Sequence, residues 1–225
     1  MGAIAPSPRG LIGGVSVIVL AGGESSRLGR DKASVRLGGE TLLERAVRRL
    51  APLGGEVIVV RGAGRSKSVP QRVQGAREVE DVYPGMGPLA GIHAGLSASN
   101  SFHNLVVACD MPFLNLDLLR YMVGIAGGVD VVMPRLDGDT EAMHAIYSRD
   151  CLPPIEGLLQ RGESKIVRFL DAVKVRFVER DEVERFDSQR LSFFNINTRS
   201  DLHYARSLVE KEAPHPANGY SSSRS

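Results

Sequence analysis

Two glycines and a group of basic side chains follow a short apolar run near the start of the chain. The run covers residues 15–20 and is rich in β-branched residues, which is typical of a buried strand in a parallel sheet. Gly22 and Gly23 come next, and they allow backbone N–H groups to approach an oxyanion closely. Arg27 can bind a phosphate through two nitrogens, and Lys32 can act as a mobile point charge. This stretch therefore predicts a phosphate site for a nucleotide.

The spacing of these residues excludes two common phosphate loops. The Walker loop has a glycine directly before its lysine, whereas two residues separate Gly29 from Lys32. The dinucleotide fingerprint needs glycines in the order G-x-G-x-x-G, and the adjacent Gly22 and Gly23 do not fit it. A glycine-rich turn followed by a solvated basic loop is the alternative, but it gives no reason for so many phosphate-seeking groups in one loop.

Acidic residues stand at the ends of two further predicted strands. Asp81 follows residues 78–80, and Asp110 follows the apolar run 105–109. Ligands of open α/β sheets bind at the carboxyl ends of strands, and carboxylate oxygens are ligands that Mg²⁺ prefers. Asp110 is therefore predicted to hold magnesium, with the capping of a turn as the alternative. The Gly/Pro-rich loop after Asp81 enters a helix predicted over residues 88–97.

Polar residues near the end of the chain form a third group. Asn195 and Asn197 are two residues apart, so their side chains point the same way on an extended chain. Thr198 and Asp201 have the spacing of a capping box, which predicts the start of the last helix. His144 lies in an apolar segment and is interpreted as a packed, hydrogen-bonded residue rather than a catalytic base.

The elements that must position these residues alternate between strands and helices. Strands are predicted at 15–20, 57–60, 78–80, 105–109, 129–133, 142–147 and 173–178, and helices at 42–50, 88–97, 153–160, 165–170 and from residues 115 and 198. A strand, a helix and a strand of these lengths form a right-handed parallel crossover. The segment 142–147 is a candidate for antiparallel pairing next to the site. The pattern predicts an α/β fold.

Length and composition fit one globular domain. The chain has 225 residues, of which 43% are hydrophobic and 24% charged. We expect a flexible leader at residues 1–14, a single domain at 15–212, and a disordered tail rich in Pro, Ser, Gly and Asn at 213–225.

Charge and cysteine content limit the classes of partner and the cellular compartment that the sequence predicts. A net charge of +2 is too small to predict binding to nucleic acid or to an anionic membrane. No apolar run reaches the roughly 20 residues of a membrane helix, and the first residues lack the apolar core of a signal peptide. The two cysteines, Cys109 and Cys151, do not indicate a disulfide framework, so we expect a cytoplasmic protein.

Four segments carry a resemblance to one enzyme family. Residues 20–32, L-A-G-G-x-S-x-R-L-G-x-D-K, resemble the signature of the nucleotidyltransferases typified by molybdenum cofactor guanylyltransferase. Further similar segments occur in the family's order, and they are G-P-L-A-G at 87–91, C-D-M-P-F at 109–113 and N-I-N-T-x-x-D-L at 195–202. Residues 141–147 resemble the acceptor-side segment more loosely, because Ala142 stands where relatives usually have proline. The resemblance spans about residues 15–208.

This resemblance implies a three-layer, Rossmann-like nucleotidyltransferase fold with a mostly parallel central sheet. It implies Mg²⁺-dependent transfer of GMP from GTP to molybdopterin, with release of pyrophosphate. The implied partners are these two small molecules, together with transient contacts to molybdenum cofactor biosynthesis proteins or target apoenzymes.

The resemblance also implies roles for individual residues. Arg27, Lys32 and Asp110 would be catalytic, with Asp110 as the metal ligand, and Asn195 and Asn197 would support the acceptor or the metal. The implied nucleotide-binding residues are Leu20, Ala21, Gly22, Gly23, Lys32, Asp81, Gly87, Pro88, Leu89 and Asp110.

One position departs from the family pattern and leaves the nucleotide base open. Many relatives carry a polar residue at the end of the second strand that contributes to guanine binding, and here that place falls at Val60. A valine side chain cannot hydrogen-bond a base, so CTP remains an alternative nucleotide donor. Other small molecules also remain alternative acceptors for this fold. An alternative from another class is a nucleotide sensor without catalysis, which would have no need of both Lys32 and Asp110.

Overall fold

The computed structural model describes residues 14–22, 32–62 and 73–212. The tail at 213–225, nearly all of the expected leader, and the predicted phosphate-binding residues Gly23 and Arg27 lie outside the described residues.

Strands and helices alternate along the described chain. The strands are β1 Val15–Leu20, β2 Arg36–Leu37, β3 Glu40–Thr41, β4 Val57–Arg61, β5 Arg77–Glu80, β6 His103–Ala108, β7 Val131–Leu136, β8 Asp139–Thr140, β9 His144–Ser148 and β10 Val175–Glu179. The helices are α1 Leu42–Leu50, α2 Gly87–Ala98, α3 Leu116–Gly124, α4 Leu152–Gln160, α5 Ile166–Leu170, α6 Arg180–Glu184 and α7 Arg199–Glu212. No helix within these described ranges is long and apolar enough to cross a membrane.

The central sheet has the strand order β10-β7-β9-β6-β1-β4-β5, with the short β8 paired to β7. Strand β1 lies between β4 and β6 and is parallel to both, and β5 continues the parallel half beside β4. Strand β9 is antiparallel to both β6 and β7, as predicted, and β10 pairs parallel with β7. The predicted mostly parallel α/β sheet is confirmed. The carboxyl ends of β1, β4, β5 and β6 therefore meet at one edge.

Side chains of β1 alternate between two apolar cores, which gives the fold its three layers. Val17 and Val19 join α1 and α3 in one core, whereas Ile18 and Leu20 join α2, α4 and α5 in the other. All six residues of β1 are buried, because helices cover both faces of the sheet.

Glycine determines how closely α2 approaches the sheet. A Cβ at Gly95 would lie 2.4 Å from Cγ2 of Ile18, and a Cβ at Gly91 would lie 3.2 Å from Cδ2 of Leu20. A contact of 2.4 Å does not occur without displacement, and one of 3.2 Å is tighter than most real contacts, so glycine at positions 91 and 95 lets α2 pack closely on β1. This packing brings the first turn of α2 to the edge where the parallel strands end.

Local signals explain where other helices begin. The side chain of Thr41 accepts a hydrogen bond from the N–H of Glu44, whose carboxylate accepts from Thr41 in return, which is a complete capping box for α1. Asn115 caps α3 through bonds to the N–H groups of Asp117 and Leu118. The hairpin between β2 and β3 was not predicted, because strands of two residues leave no periodic pattern to read.

Candidate active site

A cleft of about 680 Å³ lies at the edge where the parallel strands end. It is lined by the ends of β1, β4 and β6, the loop after β5 and the first turns of α2. The lining residues are Leu20, Ala21, Gly22, Lys32, Val60, Arg61, Gly62, Asp81, Pro84, Gly85, Gly87, Pro88, Gly91, Ala108, Cys109, Asp110 and Met143. A cleft of this volume at this place in an open α/β sheet suits a nucleotide.

The floor of the cleft is the end of β1. The N–H of Ala21 donates to the carbonyl of Val60 at 2.8 Å, and the carbonyl of Leu20 accepts from the N–H of Cys109 at 3.1 Å. A Cβ on Gly22 would lie 3.0 Å from the backbone nitrogen of Gly62, so the two loops meet backbone to backbone. Glycine at position 22 therefore gives a ligand access to main-chain groups without a side chain between them.

One wall is the segment from Asp81 to the start of α2. Asp81 Oδ1 accepts a hydrogen bond from the N–H of Tyr83 at 2.8 Å. Burial raises the pKa of the Asp81 carboxyl above its usual range, and the hydrogen bond from Tyr83 opposes this rise. Gly85 and Gly87 have φ angles of 81° and 69°, which favour glycine, and Pro88 occupies the first turn of α2. The loop thus folds tightly around the cleft.

Lys32 and Asp110 form another part of the lining, and Asn197 contacts Lys32 from beside the cleft. Lys32 Nζ donates to Asp110 Oδ2 at 2.6 Å and also to Oδ1 of Asn197. The side chains of Lys32 and Asp110 are only 23% and 13% exposed, so water screens this ion pair weakly. The N–H of Ile196 donates to the carbonyl of Asp110 at 3.0 Å, which fixes the C-terminal segment against the end of β6.

Asn197 is held by the capping residues of α7. Asp201 Oδ2 accepts from the N–H groups of Asn197 and Thr198 at 2.9 and 2.7 Å, and the N–H of Asp201 donates to Thr198 Oγ1 at 3.1 Å. The predicted capping box is thereby confirmed. The hydrogen bond from the Asn197 N–H is the main cause of the lowered pKa of the Asp201 carboxyl.

Among the described residues, three predicted site residues do not line the cleft, namely Leu89, Asn195 and Asn197. The side chain of Leu89 is fully buried in the apolar core on the inner face of α2, so its predicted contact with the nucleotide would fall to its backbone. Asn195 Nδ2 donates to the carbonyl of Phe193 at 3.0 Å, whereas Asn197 contacts Lys32. The chain is turning out of a short 3₁₀ helix over Leu191–Phe193 at this point, so the two asparagines do not act on the same neighbour.

His144 is packed as predicted, but it lacks the expected hydrogen bonds. Its ring is completely buried and lies against Phe193, with 4.7 Å between ring centroids. Neither ring nitrogen has a hydrogen-bond partner in the structure as described. Burial lowers the pKa of His144 to about 4, which keeps the imidazole neutral near pH 7.

Sequence reasoning overlooked several residues that line the cleft, of which Arg61 is the most polar. Arg61 directly follows Val60, and its Nε and Nη2 donate to the carboxylate of Glu78 at 2.9 and 3.0 Å. The rule that strand ends point at the ligand could have found Arg61, since it ends β4. Met143 comes from the segment just before β9, which no strand-end rule would have selected.

The side-chain oxygens of Asp110 and Asn197 are suited to a hard divalent cation. Among the described residues, no group of three or more His, Cys, Asp and Glu side chains could hold a metal ion. Oxygen atoms of Asp110 and Asn197 nevertheless converge on one positive charge, the ammonium of Lys32. One carboxylate with a neutral oxygen nearby is typical of magnesium sites that substrate phosphates and water complete.

Fold and cleft define a nucleotide-binding α/β protein with a phosphate-seeking cation beside a carboxylate. The sequence profile of the MobA-like NTP transferase domain matches residues 17–175. The chain belongs to this family of nucleotidyltransferases.

Individual relatives agree with this membership. The chain is 37% identical over 193 residues to a probable molybdenum cofactor guanylyltransferase of Pelotomaculum thermopropionicum, covering 86% of this chain and 92% of the relative. It is 32% identical over 200 residues to the molybdenum cofactor guanylyltransferase of Desulfosudis oleivorans, covering 87% and 96%.

Solved structures show the same fold. The molybdopterin-guanine dinucleotide biosynthesis protein A of Archaeoglobus fulgidus superimposes with a TM-score of 0.77 at 30% identity, covering 88% of this chain and 100% of that chain. The 2-C-methyl-D-erythritol 4-phosphate cytidylyltransferase of Thermus thermophilus gives a TM-score of 0.64 at 20% identity, covering 88% and 99%, which shows likeness of fold alone.

Proposed function

We propose that the protein transfers GMP from GTP to molybdopterin, giving molybdopterin guanine dinucleotide and pyrophosphate. The observation that carries this proposal is the pairing of Lys32 with Asp110 in the nucleotide-sized cleft of a MobA-like chain, with Asn197 bound to the same ammonium beside the cleft. The names of the relatives point to guanine as the base and to the molybdenum cofactor as the acceptor.

The reaction makes small demands on covalent chemistry by the protein. A phosphate oxygen of the acceptor attacks the α-phosphorus of the nucleotide in line, and the bond to pyrophosphate breaks. Positioning and charge neutralisation supply most of the catalysis in such transfers. Lys32 stabilises the negative charge of the phosphates and of the departing pyrophosphate. We assign Arg27 the same task, and no side chain acts as a nucleophile.

We propose Mg²⁺ as the divalent metal. Asp110 would hold it through a carboxylate oxygen, with Asn197 as a neutral oxygen donor. When bound, magnesium offsets charge on the phosphate oxygens. Asp110 and Asn197 are suited to this because Asp201 fixes the backbone of Asn197 and the end of β6 fixes Asp110.

Recognition of the base falls to the other wall. Asp81, Gly87 and Pro88 line it, and Asp81 offers a carboxylate to the base or the ribose. The side chain of Val60 also lines the cleft and offers no hydrogen bond, and the carbonyl of Val60 already accepts from Ala21. This observation favours a second candidate, transfer of CMP from CTP, for the same site.

Release of pyrophosphate with Mg²⁺, molybdopterin and each of GTP, CTP and ATP tests the proposal. Release with GTP is expected. Release with CTP alone would indicate a cytidylyltransferase. Nucleotide binding without release of pyrophosphate from any donor would favour a sensor. Delivery of the product would further require transient contact with cofactor biosynthesis proteins or target apoenzymes, which we propose as partners.

A further inference from the structure

The ammonium of Lys32 is hydrogen-bonded to the same oxygen atoms that would suit a metal ion. Its Nζ lies 2.6 Å from Asp110 Oδ2 and also donates to Asn197 Oδ1. A magnesium ion coordinated by these oxygens would sit about 2.1 Å from them. Two positive centres on the same pair of oxygens would overlap and repel each other, so the ammonium and the metal ion exclude one another at this place.

We infer that Asp110 and Asn197 hold one cation at a time, and that Lys32 competes with the divalent metal ion until nucleotide phosphates offer the ammonium another partner. This inference rests on the proposed function, because that function brings metal ion and triphosphate to the same cleft. Lys32 thereby has two successive roles, first as the counter-charge of Asp110 and then as a ligand of the phosphates.

Lys32 is built for such an exchange, whereas its partners are not. Its ammonium is carried by a flexible four-carbon stem, and the side chain is 23% exposed on the wall of the cleft. Asp110 lies two residues after the end of the central strand β6, and the backbone of Asn197 is bound by Asp201. A move of Lys32 therefore frees two fixed oxygens for a metal ion without moving the backbone that carries them.

The competition couples metal and nucleotide binding. Phosphates that engage Lys32 remove its charge from Asp110, which raises the affinity for the metal ion, and the metal ion displaces Lys32 toward the phosphates. Such coupling is reciprocal by linkage. The cleft thus binds the metal ion weakly by itself and more tightly together with a nucleotide.

Titration of the whole protein with Mn²⁺, followed by the electron paramagnetic resonance signal of the free ion, tests this inference without donor or acceptor. Lys32→Met keeps the length of the side chain and removes its charge and donors. We expect this variant to bind Mn²⁺ roughly tenfold more tightly or better than the unchanged protein, because a hydrogen-bonded charge no longer competes. Adding Asp110→Asn to Lys32→Met should abolish the gain.

Arg61→Met is the matched control for a general effect of charge. Arg61 lines the same cleft, but it forms an ion pair with Glu78 rather than with Asp110. We expect its Mn²⁺ affinity to change by less than about twofold, because the group that loses its partner is Glu78 and not Asp110, and the repulsion between Arg61 and the ion is long-range and screened. An unchanged affinity in Lys32→Met, or equal gains in Lys32→Met and Arg61→Met, would overturn the inference. Thermal unfolding of each variant establishes that it is folded.

Failure of the inference and failure of the proposed function give different results. GMP transfer by the unchanged protein, with no gain in Mn²⁺ affinity in Lys32→Met, overturns the competition alone. A clear gain in Lys32→Met, with no pyrophosphate released from any donor by the unchanged protein, supports the competition and overturns the proposed transfer.

Discussion

At the scale of residues, the site depends on a few polar side chains that are held in place by hydrogen bonds. Asp110 lines the cleft near the end of β6, and Lys32 bonds to both Asp110 and Asn197. Asp201 accepts a hydrogen bond from the backbone N–H of Asn197. Removal of each side chain is expected to affect turnover and stability differently, because only some of these side chains would touch the reacting groups.

Asp110→Asn should lose turnover by orders of magnitude while the protein stays folded. The amide keeps the shape of the side chain but lacks the negative charge that would hold a divalent metal. Pyrophosphate release measures the loss, and thermal unfolding monitors the fold. Near-normal turnover in this variant would refute the assignment of Asp110 as metal ligand.

Asp201→Ala should lower both stability and turnover. Removal of a helix-capping carboxylate costs about 1 kcal/mol, and it leaves the N–H groups of Asn197 and Thr198 without their acceptor. Denaturant unfolding and kcat are the measurements. Asp201→Asn keeps an acceptor oxygen and should recover most of both, and equal losses in the two variants would speak against positioning through these bonds.

Burial of His144 makes stability depend on pH. Its folded pKa of about 4 lies below the usual value of 6.5, so the unfolded chain binds the proton more readily between these values. Stability should therefore fall as pH drops from about 6.5 toward 4, by up to about 3 kcal/mol. Urea unfolding across this range measures the slope, and His144→Phe should flatten it. An equally steep slope in the variant would assign it to other groups.

At the scale of elements, the cleft depends on the approach of α2 to β1. The helix carries Gly87 and Pro88 to the wall of the cleft, and Gly91 and Gly95 let it pack on Leu20 and Ile18. A sheet edge with four parallel strand ends would offer phosphate contacts without this helix, but it would lack the wall beside Asp81.

Gly95→Ala should destabilise the protein by about 1–3 kcal/mol, because its Cβ would lie 2.4 Å from Ile18. The matched control is Gly124→Ala in α3, where a Cβ meets nothing within 4 Å. That change should be neutral or stabilising by up to about 1 kcal/mol, since alanine is the better helix former. Equal effects in chemical denaturation would contradict the packing argument.

At the scale of the whole molecule, the cleft joins parts of the chain that are far apart. Lys32 and Asn197 are separated by 165 positions, yet they share a hydrogen bond. A ligand that engages Lys32 and Asp110 would hold together the segment at Lys32, the end of β6 and the chain before α7. Binding is therefore expected to raise the stability of the domain as one unit.

GTP with Mg²⁺ should raise the thermal midpoint in a concentration-dependent manner. A ligand at about one hundred times its dissociation constant adds about 2.7 kcal/mol to the free energy of unfolding. Differential scanning fluorimetry with GTP, CTP and ATP compares the three bases. Equal shifts for all three would contradict a site that selects its base, and Asp110→Asn should lose the part of the shift that requires Mg²⁺.

Much of the fold was predictable from the sequence because local patterns encode it. Apolar runs such as residues 57–60 mark buried strands, and capping pairs such as Thr41 with Glu44 mark helix starts. The positions of Asp81 and Asp110 at the cleft follow from the rule that ligands bind at strand ends, whereas Lys32 was predicted from the basic residues that follow the glycines after β1. These features depend on residues close together in the chain.

By itself, then, the sequence determined the order of the elements, the strand ends that carry charged groups and the family resemblance. Only the tertiary structure decided that Lys32 bonds to Asn197 while Asn195 turns to a backbone carbonyl, and that His144 is buried without a hydrogen-bond partner among the described residues. The physical reason is packing: which of two neighbouring side chains meets a partner 165 positions away is decided where the segment at Lys32, the end of β6 and the chain before α7 come together, and local spacing carries no record of that meeting.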